Sequence, residues 1–231
     1  MPRRGKSKRP GKTKLRSIKR TLRKREMGDT IVEKVEKTPL FDETIVFQFY
    51  SKSADKKPGK GAGEMIQDVD EANFEALSEI PHWRKMLSNF HVAPFELDGH
   101  MWSSVEHYYQ ASKFKENNPE FYLQFSLDMN PQAELSSDPV LAKAAGGKTG
   151  KFKGKRVRDE NVVIDPNFFD GRHQVEMKAA QMAKFSQNVD LRDVLLATKQ
   201  AKLQHFVRAS PPVVFTELME VRQHLRSSQG D

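Results

Sequence analysis

Apolar positions along this chain recur in two rhythms, one of two residues and one of three to four. The stretch ETIVFQFYS (43–51) carries β-branched and aromatic residues at strand density. EANFEALSEIPHWRKMLSNF (71–90) starts as a helix, with Phe74, Leu77 and Ile80 three apart, until Pro81 interrupts it. HVAPFELDGHMW (91–102) predicts a short hairpin turning at Asp98-Gly99. In WSSVEHYYQASKF (102–114), Ser103 stands as N-cap with Glu106 three residues on, the spacing of a capping box. Val105, Tyr108, Tyr109 and Ser112 then form one stripe, and Glu106, Gln110 and Lys113 a second, polar one.

Further along, PEFYLQFSLDM (119–129) and DPVLAKAAG (138–146) predict short helices with Pro near the first turn. DPNFFDGRHQVEMKAAQMAKFSQN (165–188) is the longest helical pattern, with Val175, Ala179, Met182 and Phe185 on one face. VDLRDVLLAT (189–198) predicts another helix, capped by Asp190. PPVVFTELMEVRQHL (211–225) predicts a last one, started by proline, with Phe215, Leu218, Met219 and Leu225 on one side. No repeat and no second core is visible, so the expected fold is α+β, mostly helical: a single domain with a small β-sheet.

Charge changes this picture at one end. Residues 1–25 hold 13 Lys or Arg and no acid, which leaves 26 basic against 31 acidic residues, a balance of −5, in 26–231. A basic, pattern-free arm and connector (1–40) is therefore expected to be disordered when free and to precede a folded domain at 41–227. Arg3, Arg4, Lys19, Arg20, Arg23, Lys24 and Arg25 are its candidate contacts to nucleic-acid phosphates, or an import signal. With no cysteine there is no disulfide framework or thiolate zinc site. The seven histidines show no metal-binding spacing, so no metal or cofactor is expected. No apolar run approaches a membrane span and no signal-peptide pattern appears. A soluble intracellular protein is expected, cytoplasmic or, in a eukaryotic setting, nuclear; no oligomeric state follows from the pattern.

Familiar catalytic motifs are missing: there is no G-x-S-x-G elbow, and PGKGAGE lacks the end of a Walker loop. Gly59, Gly61 and Gly63 still allow backbone amides to approach a phosphate, or form a plain surface loop. Four polar clusters remain: Lys60 with Glu64, Arg84 with Asn89, Glu106 with Gln110, and the basic loop around Lys148. Trp83, Trp102 and Tyr109 suit stacking on a base as well as they suit the core.

Together the segments FYS (49–51), LSNF (87–90), FELDGHMWSSVEHYYQASKF (95–114), AAGGKTG (144–150), MAKFSQN (182–188), LLAT (195–198) and ELMEVR (217–222) resemble the NADAR superfamily, the YbiA-like N-glycosidases. They keep that family's order over roughly residues 45–225, and the glycine-rich segment resembles its longer, PGKGxGE-containing branch. The resemblance implies hydrolysis of a C–N bond at a ribose anomeric carbon. One implied substrate class is ADP-ribosylated guanine in nucleic acid, and another is the phosphorylated intermediates of riboflavin synthesis. A non-catalytic ADP-ribose reader is a further alternative, and a packaging protein acting through the arm another.

By position, the resemblance implies Glu106 as the catalytic carboxylate. Lys60 is implied as a phosphate contact or a Schiff-base nucleophile. The resemblance places Asn89 in the pocket motif, Lys148 on a basic phosphate-side position and Glu64, with Lys60, in the glycine-rich motif; Gly59, Gly61, Arg84, Phe90, Trp102, Tyr109, Gln110 and Phe169 complete the candidate substrate contacts. Phe169 stands where the bacterial type has Trp, and AKLQHFVRASPPVVF (201–215) replaces a Trp-Gly-rich segment. Both departures, with the basic arm, favour the nucleic-acid branch.

Overall fold

A computed structural model describes residues 39–129 and 131–228, so the basic arm and most of the connector lie outside the described residues. In chain order, β1 (Asp42–Phe49) leads through a glycine-rich loop and a 3-10 turn (Asp68–Phe74) to α1 (Glu75–Ser78) and α2 (Trp83–Leu87). The hairpin β2 (Phe95–Leu97) and β3 (His100–Trp102) precedes α3 (Val105–Ser112), α4 (Pro119–Leu123), α5 (Glu134–Ser137) and α6 (Pro139–Ala145). A second hairpin, β4 (Lys151–Phe152) and β5 (Lys155–Arg156), is followed by a π turn (Phe168–Arg172) into α7 (His173–Gln187). The chain closes with α8 (Val189–Ala197), β6 (Ala201–His205), β7 (Val213–Val214) and α9 (Thr216–Ser227). This is a mixed α+β fold, mostly helical, with small sheets.

β1 pairs in parallel with β6, and β7 joins the far side of β6 antiparallel. Phe47 and Phe49 of β1 are fully buried, and Phe47 packs edge-on against Phe74 and Trp83 at 5.0 and 5.2 Å. Side chains of this size contribute about 1.5–3 kcal/mol each on burial. Asp98 and Gly99 turn the first hairpin with φ of 56° and 75°, the left-handed pair of a I′ turn. α6 starts with proline in its first turn as expected, and Asp138 caps it, accepting from Val140 N–H at 2.8 Å.

Several expectations need correction. The N-cap of α3 is Ser104, not Ser103: its Oγ accepts from His107 N–H at 3.5 Å and meets His107 Nδ1 at 2.8 Å. No capping box therefore involves Glu106. Asp190 does not cap α8 but sits exposed in its first turn; the N-cap Asn188 turns its amide to Pro94 and Lys184 carbonyls instead. The prolines at 211–212 lead into β7 rather than a helix, because Phe215 N–H still donates to Leu203 O at 2.9 Å; α9 begins only at Thr216. On α7, Val175 is 68% exposed, while Glu176, Ala180, Gln181, Ala183, Lys184 and Phe185 are buried. That face is rotated because its polar residues have partners: Lys184 Nζ donates to the carbonyls of Met86 (2.7 Å) and Ser88 (2.9 Å).

Nor is the core undivided. One apolar cluster gathers β1, α2, α8, β6 and α9 around Phe47, Trp83 and Leu203. A second gathers the first hairpin, α3, α4 and α6 around Trp102, Tyr108 and Phe114. α7 serves both, giving Phe185 to the first and Ala180 and Ala183 to the second. Its Gln181 and Lys184 reach Asn89 and Ser88 by hydrogen bonds, a buried polar seam beside α3. Among the described residues no helix is long and apolar enough to cross a membrane, and no group of acids and histidines is disposed to hold a metal.

Candidate active site

The seam ends at the start of α3. Asn89 presents its carbonyl to Glu106 N–H at 2.9 Å, satisfying one of the amides that a helix start leaves open. Gln181 Nε2 donates to Asn89 Oδ1 at 3.3 Å, and Asn89 Nδ2 lies 3.2 Å from Met177 Sδ. Asn89 thus positions the helix that carries the carboxylate.

From there the polar stripe runs as the spacing predicts. Gln110 Nε2 donates to Glu106 Oε1 at 2.8 Å, and Lys113 Nζ donates to Gln110 Oε1 at 2.6 Å and to Gly146 O at 2.9 Å. All three side chains are buried. Glycine at 146 leaves room for the Gln110 side chain, since a Cβ there would stand 2.1 Å from Gln110 Oε1 and push it aside. Burial pushes the Glu106 carboxyl above the ordinary carboxylate range, against the pull of the Gln110 amide and the Lys143 and Lys113 ammonium groups. Burial also brings the Lys113 amine down to about 8, with Glu106 opposing the fall and Arg158 and Lys143 adding to it.

Lys113 is also part of the wall of a cavity of about 580 Å³, shared with the cations Lys148, Arg156 and Arg158, the acids Asp159 and Glu160, and Gly147 and Phe169. Arg158 holds the rim together by donating to the carbonyls of Ala145 (2.8 Å), Gly147 (2.9 Å) and Lys148 (3.3 Å). Phe169 is 58% exposed at this wall and packs edge-on against Phe168, which in turn meets Tyr109 at 5.6 Å. Lys113 Nζ lies 5.3 Å from the Tyr109 ring and 6.0 Å from that of Phe169. Half-buried Phe90 lies under Lys143, 5.3 Å away. Of the candidates, Lys148 and Phe169 line this cavity; Glu106, Gln110 and Tyr109 lie on α3, with Asn89 at its start and Phe90 against Lys143, and the link from Glu106 to the cavity runs through Gln110 and Lys113.

Other candidates lie elsewhere. Glu64 and Arg84 form a buried ion pair with two contacts of 2.6 Å. Gly59 and Gly61 donate their N–H groups to the same carboxylate at 3.1 and 3.0 Å, so those amides hold Glu64 rather than a phosphate. Arg84 further donates to the carbonyls of Lys56 and Lys57, and the glycine-rich loop is wound around it. Trp102 is fully buried, its Nε1 donating to Leu97 O at 2.9 Å and its ring edge-on to Tyr108, so it belongs to the core. Lys60 pairs with Glu71 at 2.7 Å and lines a separate cavity of about 300 Å³ with Glu71, Glu75 and Glu79. Trp83 is core as well.

Lys113, Lys143 and Arg158 were not among the candidate site residues. Lys113 had a signal, its place three residues after Gln110 in the polar stripe. Arg158 had a signal as well, its place in the basic loop around Lys148; for Lys143, whose position depends on segments meeting in space, none was found.

The NADAR domain profile matches residues 77–212. N-glycosidase YbiA of Escherichia coli (strain K12) is 35% identical over 119 residues, 51% of this chain and 59% of that protein. N-glycosidase YbiA of Shigella flexneri serotype 5b (strain 8401) matches to the same extent. The chain thus spans about six-tenths of the length of these relatives. The NMR structure of the E. coli protein YbiA aligns with a TM-score of 0.44 at 21% identity, covering 84% of this chain and 94% of that one.

Proposed function

This chain belongs to the NADAR domain family, and from that premise we propose that it is an N-glycosidase, a hydrolase that cleaves the bond between a ribose and a base. The observation that carries the reading is the buried chain Glu106–Gln110–Lys113, with its amine in the wall of a basic cavity. Among the described residues Gln110 is the sole hydrogen-bond donor to the Glu106 carboxylate. One carboxylate oxygen is therefore left for chemistry.

As the C1′–N bond breaks, its electron pair leaves on the base nitrogen and positive charge develops on the sugar. A fixed carboxylate stabilises that charge and accepts the proton of the attacking water, whose oxygen bonds to C1′. The leaving nitrogen takes a proton from solvent. Burial, which raises the Glu106 carboxyl, makes it a better proton acceptor once ionised, and the Gln110 amide and the two lysines oppose that rise. With its amine at about 8, Lys113 is mostly protonated at pH 7 and supplies a positive charge toward an anionic substrate.

The substrate we propose is ADP-ribosylated guanine in nucleic acid. Lys148 and Lys113 line a cavity within the volume range of nucleotide-sized ligands, with Arg158 ordering its rim and Arg156 paired to Glu160, and these two lysines support a phosphorylated ligand such as a diphosphate. The same cations also suit a phosphorylated intermediate of riboflavin synthesis, the second reading. Incubating wild type and Glu106→Gln with an oligonucleotide carrying ADP-ribosyl-guanine, followed by mass spectrometry, separates the outcomes. Loss of ADP-ribose with wild type alone is expected. An intact oligonucleotide with both proteins would rule that substrate out, and equal loss with both would rule out the carboxylate.

A further inference from the structure

The segment GGKTGKFKGKRVR (146–158) holds six basic residues and no acid, within a stretch (26–231) whose balance is −5. Half of it is the hairpin β4–β5, next to the cavity wall formed by Lys148, Arg156 and Arg158. Arg158 is committed to loop carbonyls, and Arg156 pairs with Glu160 at 3.1 Å. Lys151, Lys153 and Lys155 are exposed, and no acidic side chain pairs with them among the described residues.

Two features of this hairpin work against its own stability. Lys151 stands directly across from Arg156, a like-charge cross-strand pair. Lys153 occupies a left-handed turn position, φ 47°, where Asn or Gly fits with less strain. An anion lying along the hairpin offsets the like-charge pair. Between the lysines, half-buried Phe152 has Lys153 Nζ 5.0 Å from its ring, an aromatic surface interleaved with cations. Lysines for phosphates and a ring for a base are what single-stranded nucleic acid requires.

We propose that the β4–β5 hairpin is a nucleic-acid docking element that grips the phosphates of a strand beside the cavity. The strand's role as substrate rests on the glycosidase reading; its binding does not. The test uses the full chain and fluorescence anisotropy with labelled single-stranded DNA and RNA oligonucleotides over a salt series. With Lys151→Gln, Lys153→Gln and Lys155→Gln combined, the log–log salt slope should fall by about 2, at roughly 0.7 per lost phosphate contact. Affinity near physiological salt should fall on the order of 10- to 100-fold. The matching triple Lys→Arg protein should bind like wild type, which separates charge loss from misfolding. Weakening on DNA, on RNA or on both supports the element and names its strand.

The proposal is overturned if binding and slope stay unchanged in the Gln variant, whether or not neutralising Arg23, Lys24 and Arg25 in the arm weakens binding. If wild type releases no base from any substrate yet the hairpin variant loses binding, the glycosidase reading fails and the docking element stands.

Discussion

Two buried glutamates on this fold have opposite surroundings. Glu64 receives five donors: the amides of Gln48, Gly59 and Gly61, and two nitrogens of Arg84. Glu106 receives one among the described residues, the Gln110 amide, and its charge is otherwise met at longer range by Lys113 and Lys143. A carboxylate whose acceptor sites are all filled by protein holds a loop in place. One that is buried yet undersupplied costs stability to maintain, which points to chemistry rather than architecture. Among the buried cations, Lys184 and Arg222 donate to carbonyls and a hydroxyl inside the scaffold, whereas Lys113 donates to Gln110 and the Gly146 carbonyl and also faces the cavity.

Arg84→Met should break the saturated region most severely. It leaves Glu64 buried without its cation, and urea unfolding should show a loss of about 3–5 kcal/mol. In the undersupplied region, Lys113→Met should lower kcat/KM by about 100-fold, within the range for a charge that stabilises a transition state, and leave the protein folded.

The pH dependence follows from the same amine. If Lys113 acts protonated, wild-type turnover falls as pH rises through about 8; a turnover that climbs there would mean the free amine attacks the sugar. Stability moves the other way. Because the folded amine sits at about 8, below its ordinary 10.5, the unfolded chain holds more protons between the two. Stability therefore rises with pH across that window, and thermal melts of Lys113→Met should show a shallower rise, since Lys184, brought down to about 7 by burial, contributes over the same range.

Gly146→Ala should have a smaller effect. Its Cβ displaces Gln110, costing about 1–3 kcal/mol of stability, and turnover should drop because Glu106 loses its donor. Lys60→Met should matter least, with stability within about 0.5 kcal/mol and turnover near wild type, since its exposed pair with Glu71 belongs to another cavity.

Features that depend on neighbours in sequence were legible: β1 by its density of β-branched and aromatic residues, the Asp98-Gly99 turn, the proline start of α6 and the Glu106–Gln110–Lys113 stripe. The α7 face was not, because apolar periodicity assumes that buried positions are apolar, and Glu176, Gln181 and Lys184 are buried with partners from other elements. β6 was missed for a related reason. Lys202 and Gln204 interrupt its apolar residues, and its pairing with β1 joins positions more than 150 residues apart. Glu64 and Arg84 looked like site residues because a charge near glycines suits a phosphate, and only the fold reveals that they satisfy each other. The shift of the cap from Ser103 to Ser104 removed a structural role from Glu106 and left its carboxylate to the site.

The contrast between the two carboxylates is tested most directly by measuring turnover and melting temperature for Glu106→Gln and Glu64→Gln side by side. Glu106→Gln should lose about 10²–10⁴ in turnover, with a melting temperature equal to or above wild type. Glu64→Gln should melt lower by on the order of 10 °C, with the folded fraction still turning over. A Glu106→Gln protein that melts like Glu64→Gln and keeps its turnover per folded molecule would contradict the account.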